Sequence, residues 1–185
     1  MTAMSELSPR IYNYIVALDN GVSSNGVALF GPDNLVRYEK LPIKSELSYT
    51  HEEHHITRLD APGLRKLLTS WNLPKNDTKV VMERIMINPA RFRASISAAR
   101  CLEAELIIIE EFGFEIEYCD SKNWQHVLLP SVVGTDDLKK ASLALGHKLF
   151  PDLAIKKDAD SLLIGYWAMN RTILETVKPK KKKEL

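Results

Sequence analysis

Residues 15–30 read IVALDNGVSSNGVALF, two apolar runs joined by a polar turn, and this stretch decides the fold. β-Branched and aromatic residues at 11–18 predict a strand, and 26–30 and 35–40 continue that pattern after turn residues. The three segments together predict an antiparallel meander. Asp19 then lies at the carboxyl end of the first strand.

Downstream of the meander, apolar periodicity predicts alternating helices and strands. The polar stretch 42–55 indicates a surface loop, and 79–83 (KVVME) fits a buried strand that ends at Glu83. The other predicted elements are helices over 56–71, from Asn88-Pro89 to Gly113, from Thr135 or Asp136 to Pro151 and from Asp158 or Asp160 to about Val177, and a strand at 115–119.

This order of elements predicts an α/β fold, in which helices cover both faces of a mixed five-stranded sheet. With 185 residues, of which 45% are apolar, the chain is long enough for one domain and short for two. We therefore expect a single domain at 1–177 and a basic, disordered tail at 178–185 (KPKKKKEL).

The composition excludes several classes of protein. No run approaches the roughly 18 uncharged apolar residues of a membrane helix, and the first ten residues lack an apolar signal core, so we expect a cytoplasmic protein. Cys101 and Cys119 have no CxxC spacing, which argues against a thiolate zinc site and favours small buried side chains. The 25 Lys and Arg nearly balance 24 Asp and Glu, so any basic surface must be local.

Four acids carry the functional prediction. Asp19 and Glu83 end two predicted strands, and Asp158 and Asp160 begin a predicted helix. Each acid alone also suits an ordinary role, as a turn residue, a strand end or an N-cap. If all four converge at the carboxyl edge of the sheet, they repel one another unless cations such as Mg²⁺ or Mn²⁺ neutralise them. Two such ions about 4 Å apart would support phosphodiester hydrolysis.

Three motifs resemble the RuvC-like Holliday junction resolvases of phage type, in the RNase H-like superfamily. They are IVALDNGVSSNGVALF at 15–30, KVVMERIM at 79–86 and DADSLLIGYWA at 158–168. Their order and spacing match the family, and the resemblance covers about 12–168.

The resemblance implies an RNase H-like fold and a Mg²⁺-dependent endonuclease with two ions per active site, for which Mn²⁺ can substitute. Asp19, Glu83, Asp158 and Asp160 map onto the catalytic, metal-binding carboxylates. The implied partner is a four-way DNA junction, bound by a homodimer in DNA recombination and repair. A phage- or virus-encoded protein acting in its host cell fits the same resemblance.

The chain departs from the bacterial pattern at several positions. Asn20 replaces a proline, and Met86 and Ile87 stand near the position of an aromatic residue that wedges into the junction. Asp158 precedes Asp160 by two residues rather than three, and helical residues two apart do not share a face. Asp158 must therefore lie outside the helix if it is a metal ligand, and an N-cap is its alternative role.

Basic residues suited to DNA phosphates lie near the second and third motifs. Lys122, Lys139 and Lys140 align with basic residues that contact phosphates in the family. The other predicted DNA contacts are Arg84, Arg91 and Arg93, close to Arg100. The lysine-rich tail is predicted to be a phosphate-binding arm or a nuclear-import signal.

Other functions share part of this pattern. The same acids would serve an RNase H-like nuclease acting on RNA–DNA hybrids, flaps or packaged DNA, and a non-catalytic DNA-binding protein would show no cleavage. An actin-like ATPase needs two such domains and a longer chain. His51, His54 and His55 lack a fourth zinc ligand and indicate a loop near DNA. Trp71, Trp124 and Trp167 are predicted to fill the core.

Overall fold

A mixed sheet organises the chain. The computed structural model describes residues 12–21, 26–49 and 54–176. Within these residues the strands are Tyr14–Leu18 (β1), Gly26–Phe30 (β2), Val36–Lys40 (β3), Ile43–Leu47 (β4), His55–Leu59 (β5), Thr78–Glu83 (β6) and Glu115–Cys119 (β7). The helices are Ala61–Trp71 (α1), Phe92–Phe112 (α2), Ser121–Leu128 (α3), Thr135–Leu149 (α4) and Asp160–Thr176 (α5).

Five strands form the main sheet in the order β3-β2-β1-β6-β7. The pairs β1–β2 and β2–β3 are antiparallel, as the predicted meander requires. The pairs β1–β6 and β6–β7 are parallel, which places the carboxyl ends of β1, β6 and β7 at one edge. The predicted α/β class and five-stranded mixed sheet are confirmed.

Helices cover both faces of this sheet. Successive side chains of β1 point to opposite faces and are buried in two separate cores. Val16 and Leu18 pack in a cluster with residues of α1 and α2. Ile15 and Ala17 face the opposite cluster, which contains residues of α3 and α5. All four side chains are at most 6% exposed, so the strand is buried from both sides, as expected for the centre of a mixed sheet.

The predicted surface loop at 42–55 is wrong. It contains β4 and the start of β5, which form a separate antiparallel hairpin with Ile43 opposite Leu59. The predicted helix at 56–71 accordingly begins later, at Ala61, with Pro62 in its first turn. Each strand of this hairpin has only two apolar residues among polar ones. So few apolar residues do not give a clear alternating pattern from which a strand can be predicted.

Helix α2 ends where Gly113 adopts a left-handed conformation with φ of 67°, as predicted. The apolar side chains near its start are not buried, because Phe92 and Ile96 are 67% and 42% exposed. The buried side chains are instead Ser95, Cys101, Glu105, Ile108 and Ile109. Part of the apolar surface of α2 therefore faces solvent.

Helix α3 was absent from the predicted elements. Asp120 and Asn123 form a reciprocal capping box at its start. The helix was missed because its eight residues are too few to show a clear apolar periodicity. Trp124 in this helix is fully buried, and Trp71 and Trp167 are at most 8% exposed, which confirms the tryptophans as core residues. Both cysteines are buried, as expected. None of the helices in the described part of the chain is long and apolar enough to span a membrane.

A glutamate lies inside the core. Glu105 is fully buried, and its Oε1 accepts a hydrogen bond from the Cys101 thiol at 3.5 Å. No hydrogen-bond partner is found for its Oε2 among the described residues. Burial raises the pKa of Glu105 to about 8. The neutral form is thus the one that the core accommodates.

We predict that Glu105→Gln makes the protein less sensitive to alkaline pH. Because the folded-state pKa exceeds the unfolded one, Glu105 favours folding at low pH and this contribution is lost as pH rises towards 8. Urea denaturation should show similar stabilities near pH 4, below the ordinary glutamate pKa, and an advantage of roughly 1–3 kcal/mol for the variant near pH 9. Glu103→Gln, on the exposed side of the same helix, is the control. An equal pH dependence in all three proteins would contradict the prediction.

Candidate metal centre

Two acids emerge side by side from the centre of the sheet. Leu18 of β1 pairs in parallel register with Met82 of β6, so Asp19 and Glu83 follow as neighbours at the carboxyl edge. Their carboxyl groups are hydrogen-bonded to each other, and the Ser121 hydroxyl donates a further hydrogen bond to Glu83. The sheet alone therefore brings together the first two predicted site residues.

The first residue of helix α5 and the turn before it supply the other two acids, Asp160 and Asp158. Asp19, Asp158 and Asp160 each offer a carboxylate oxygen, and these atoms all lie within 4.8 Å of one another. Glu83 is not a member of that group of three, but it contacts Asp19. All four predicted acids thus meet at one edge of the sheet.

Asp158 lies in the turn before α5. Its Oδ1 accepts a hydrogen bond from the backbone N–H of Asp160 at 2.8 Å, so it caps the helix. A carboxylate has two oxygens, and this cap occupies one of them. The proximity of Asp158 to Asp19 and Asp160 makes capping and metal binding compatible, although the sequence presented them as alternatives.

The four acids lie in surroundings that disfavour negative charge, and the charge of Lys139 offsets this only in part at Asp158 and Asp160. Burial is the largest cause of a raised pKa in each of them. Next in importance, the charge of Glu83 raises the pKa of Asp19, which lies well above its usual value. The charge of Asp160 helps raise the pKa of Glu83 to about 7, and that of Asp158 helps raise the pKa of Asp160 to about 6. Bound cations would remove this repulsion, and carboxylate oxygens suit Mg²⁺ or Mn²⁺.

Three neutral side chains support the acids, one next to Asp19 and the others from α4 and β3. The Asn20 amide donates to the backbone carbonyl of Glu83, and so links the ends of β1 and β6. The Ser142 hydroxyl of α4 donates to Asp160 Oδ1, and the Tyr38 hydroxyl of β3 donates to the backbone carbonyl of Asp158 at 2.8 Å. Ser142 and Tyr38 were not predicted as site residues, since a polar residue within an apolar pattern does not reveal its partner.

A cleft of about 740 Å³ opens in front of Asp19 and Glu83, and an adjoining one of about 500 Å³ reaches Asp160. Arg91 and Lys139 line both clefts, and Arg84 and Lys122 line the larger one. Four of the six predicted DNA contacts therefore surround the acids. Arg93 and Lys140 are exposed and line neither cleft.

Other predicted features lie at the rim or away from the acids. Met86 and Ile87 follow Glu83 and are 77% and 63% exposed. His54 and His55 are exposed and take part in no cluster of possible metal ligands within the described residues. His51 and the basic tail at 178–185 lie outside the described residues.

Comparisons with known proteins support the fold. RuvC of T. thermophilus in complex with Holliday junction substrate aligns with a TM-score of 0.54 and 11% identity, over 88% of this chain and 96% of that chain. A second Thermus thermophilus RuvC structure gives 0.54 and 12%, over 86% and 96% of the two chains. No family model and no curated protein sequence matches the chain. With its sheet order of β3-β2-β1-β6-β7, the chain has the RNase H-like fold of the RuvC resolvases.

Proposed function

We propose that the protein is a metal-dependent endonuclease that resolves four-way DNA junctions. One observation carries the proposal: Asp19, Asp158 and Asp160 converge within 4.8 Å, beside Glu83, at the carboxyl edge of a RuvC-like sheet. A basic cleft in front of these acids suits a phosphodiester backbone. The structurally similar RuvC is a protein seen with a Holliday junction substrate.

Residues 1–177 would act as one nuclease domain, and the tail 178–185 would bind DNA phosphates. The protein would act in the cytoplasm of its own cell or of an infected host. Symmetric resolution requires two nicks in strands related by a two-fold axis, so the active species is a homodimer. The exposed side of α2, with Phe92 and Ile96, is the candidate dimer interface. Each subunit then contributes one set of four acids.

The acids and the basic residues have separate roles in this mechanism. Asp19, Glu83, Asp158 and Asp160 would hold two Mg²⁺ or Mn²⁺ ions, which when bound supply an activated water and stabilise the leaving 3′ oxygen. Lys122 and Lys139 lie in the same cleft and would neutralise the charge of the backbone phosphates. Arg84 and Arg91 would fix the orientation of the strand. The products carry 5′-phosphate and 3′-hydroxyl ends.

We predict that Asp19→Asn, Glu83→Gln and Asp160→Asn each abolish Mg²⁺-dependent nicking of a four-way junction. Junction binding should persist in a gel-shift assay, because lysine and arginine contacts to phosphates dominate affinity. Asp152→Asn, at an exposed acid that lines a cavity containing none of the four acids, is the matched control.

The same assays separate the alternatives. Paired nicks at symmetric positions of the junction, ligatable afterwards, support the proposal. Cleavage of RNA–DNA hybrids or flaps with junctions left intact would assign the site to another RNase H-like nuclease. Full activity in any one acid variant removes that residue from the site, and binding without cleavage by the wild type indicates a non-catalytic DNA-binding protein.

Asp158 gives a second prediction, because its cap and its charge can be separated. Asp158→Ser and Asp158→Asn both retain an oxygen for the backbone N–H of Asp160, so thermal stability should be almost unchanged. Both lack the carboxylate, so cleavage at limiting Mg²⁺ should fall at least about tenfold. Asp158→Ala additionally loses the cap and should cost roughly 1 kcal/mol of stability. An unchanged metal requirement in Asp158→Ser would show that the other three acids suffice.

A third prediction concerns pH. Because the pKa values of Glu83 and Asp160 are raised to about 7 and about 6, the metal-free protein should lose stability as pH rises through that window. Bound metal removes the repulsion between the ionised acids. Melting temperatures should therefore rise more on addition of Mn²⁺ near pH 8 than near pH 5.

The Glu105→Gln background suits this measurement, since it removes the titration of the core glutamate. Asp19→Asn in that background should flatten the pH dependence of the metal-free protein. An equal Mn²⁺-induced shift at both pH values would contradict the assignment of the acids as ligands.

A further inference from the structure

The turn before α5 is held by a residue from the far edge of the sheet. Tyr38 lies on β3, the outermost strand on its side, and its hydroxyl donates to the backbone carbonyl of Asp158 at 2.8 Å. The two residues are 120 positions apart in the sequence. The contact therefore depends on the tertiary fold and not on the local sequence of the turn.

The path of the Tyr38 ring depends on a glycine in the neighbouring strand. Tyr38 pairs with Ala28, and Gly26 lies two residues along β2 on the same face. A Cβ atom on Gly26 would lie 2.1 Å from Cε2 of Tyr38 and 2.7 Å from its hydroxyl oxygen. Any other residue at position 26 would force the ring to move. The glycine thus leaves the space through which Tyr38 reaches Asp158.

The turn needs such support because of the spacing of its acids. Residues two apart in a helix do not share a face, so Asp158 approaches Asp19 and Asp160 only from outside α5. The cap to Asp160 fixes one carboxylate oxygen, and Tyr38 fixes the backbone of the same residue. Together these contacts define the direction of the Asp158 side chain.

We propose that Tyr38 is a positioning residue for the metal centre, which sets the metal affinity of the acid cluster by holding the backbone of Asp158. This inference rests on the proposed function. Hydrogen-bonding partners of ligand residues typically contribute ten- to a hundredfold to metal affinity. Tyr38 acts through Asp158 and takes no part in the chemical step itself.

Other contacts already secure the fold of the turn. Ala159 is 1% exposed, and Leu162 and Leu163 of α5 are fully buried in the core. Loss of the Tyr38 hydroxyl alone removes one hydrogen bond, worth roughly 1 kcal/mol. A positioning role and a purely structural role therefore predict different results.

The test compares Tyr38→Phe with Tyr49→Phe. The Tyr49 hydroxyl likewise has a hydrogen-bond partner, since it accepts from the Arg100 side chain at 2.8 Å, and the cavity that Tyr49 lines contains none of the four acids. Mn²⁺ is titrated calorimetrically into each metal-free protein, and melting temperatures and junction cleavage are measured on the same samples. We expect Tyr38→Phe to bind Mn²⁺ about tenfold more weakly, to melt close to the wild type, and to regain cleavage at saturating Mn²⁺. Tyr49→Phe should match the wild type throughout.

Gly26→Ala approaches the same contact from the other side, because it displaces the ring while retaining the hydroxyl. Weaker Mn²⁺ binding in this variant supports the proposal. Wild-type Mn²⁺ affinity in Tyr38→Phe overturns the role of Tyr38 and leaves the nuclease intact. Absence of Mn²⁺ binding by the wild type overturns the proposed function, and the role of Tyr38 with it.

Discussion

The parallel pairing of β1 with β6 forces two carboxyl groups together where the strands end. In register, Leu18 faces Met82, so Asp19 and Glu83 follow side by side at the edge of the sheet. Two buried acids in contact repel each other when both are ionised, and the raised pKa values express that cost. The start of helix α5 and the turn before it add two more acids to the same place. The arrangement is unfavourable for stability at neutral pH, and this is the physical reason for assigning it to function.

Different elements position the four acids. The sheet fixes Asp19 and Glu83 through its register, whereas Asp158 and Asp160 depend on contacts from elsewhere in the chain. The Ser142 hydroxyl from α4 and the Tyr38 hydroxyl from β3 provide these contacts. The positively charged side chains Arg84, Arg91, Lys122 and Lys139 line the cleft, where they can contact DNA phosphates. Metal binding and DNA binding are therefore predicted to be separable by mutation.

Much of this arrangement was predictable from local sequence patterns. The apolar runs that end in Asp19 and Glu83 located both acids at the carboxyl ends of strands, and Gly113 located the end of α2. The hairpin of β4 and β5 was missed because a two-stranded ribbon exposed to solvent needs few apolar residues. The contact of Tyr38 with Asp158 was also missed. It joins distant parts of the chain, and no periodicity in either segment reports the other.

The central claim is that the four converging acids form a metal centre, and anomalous diffraction from a crystal soaked in Mn²⁺ tests it most directly. We expect two anomalous peaks about 4 Å apart, in contact with carboxylate oxygens of Asp19, Glu83, Asp158 and Asp160. Ordered acids without an anomalous peak between them at saturating Mn²⁺, or Mn²⁺ bound only at other residues, would contradict the claim.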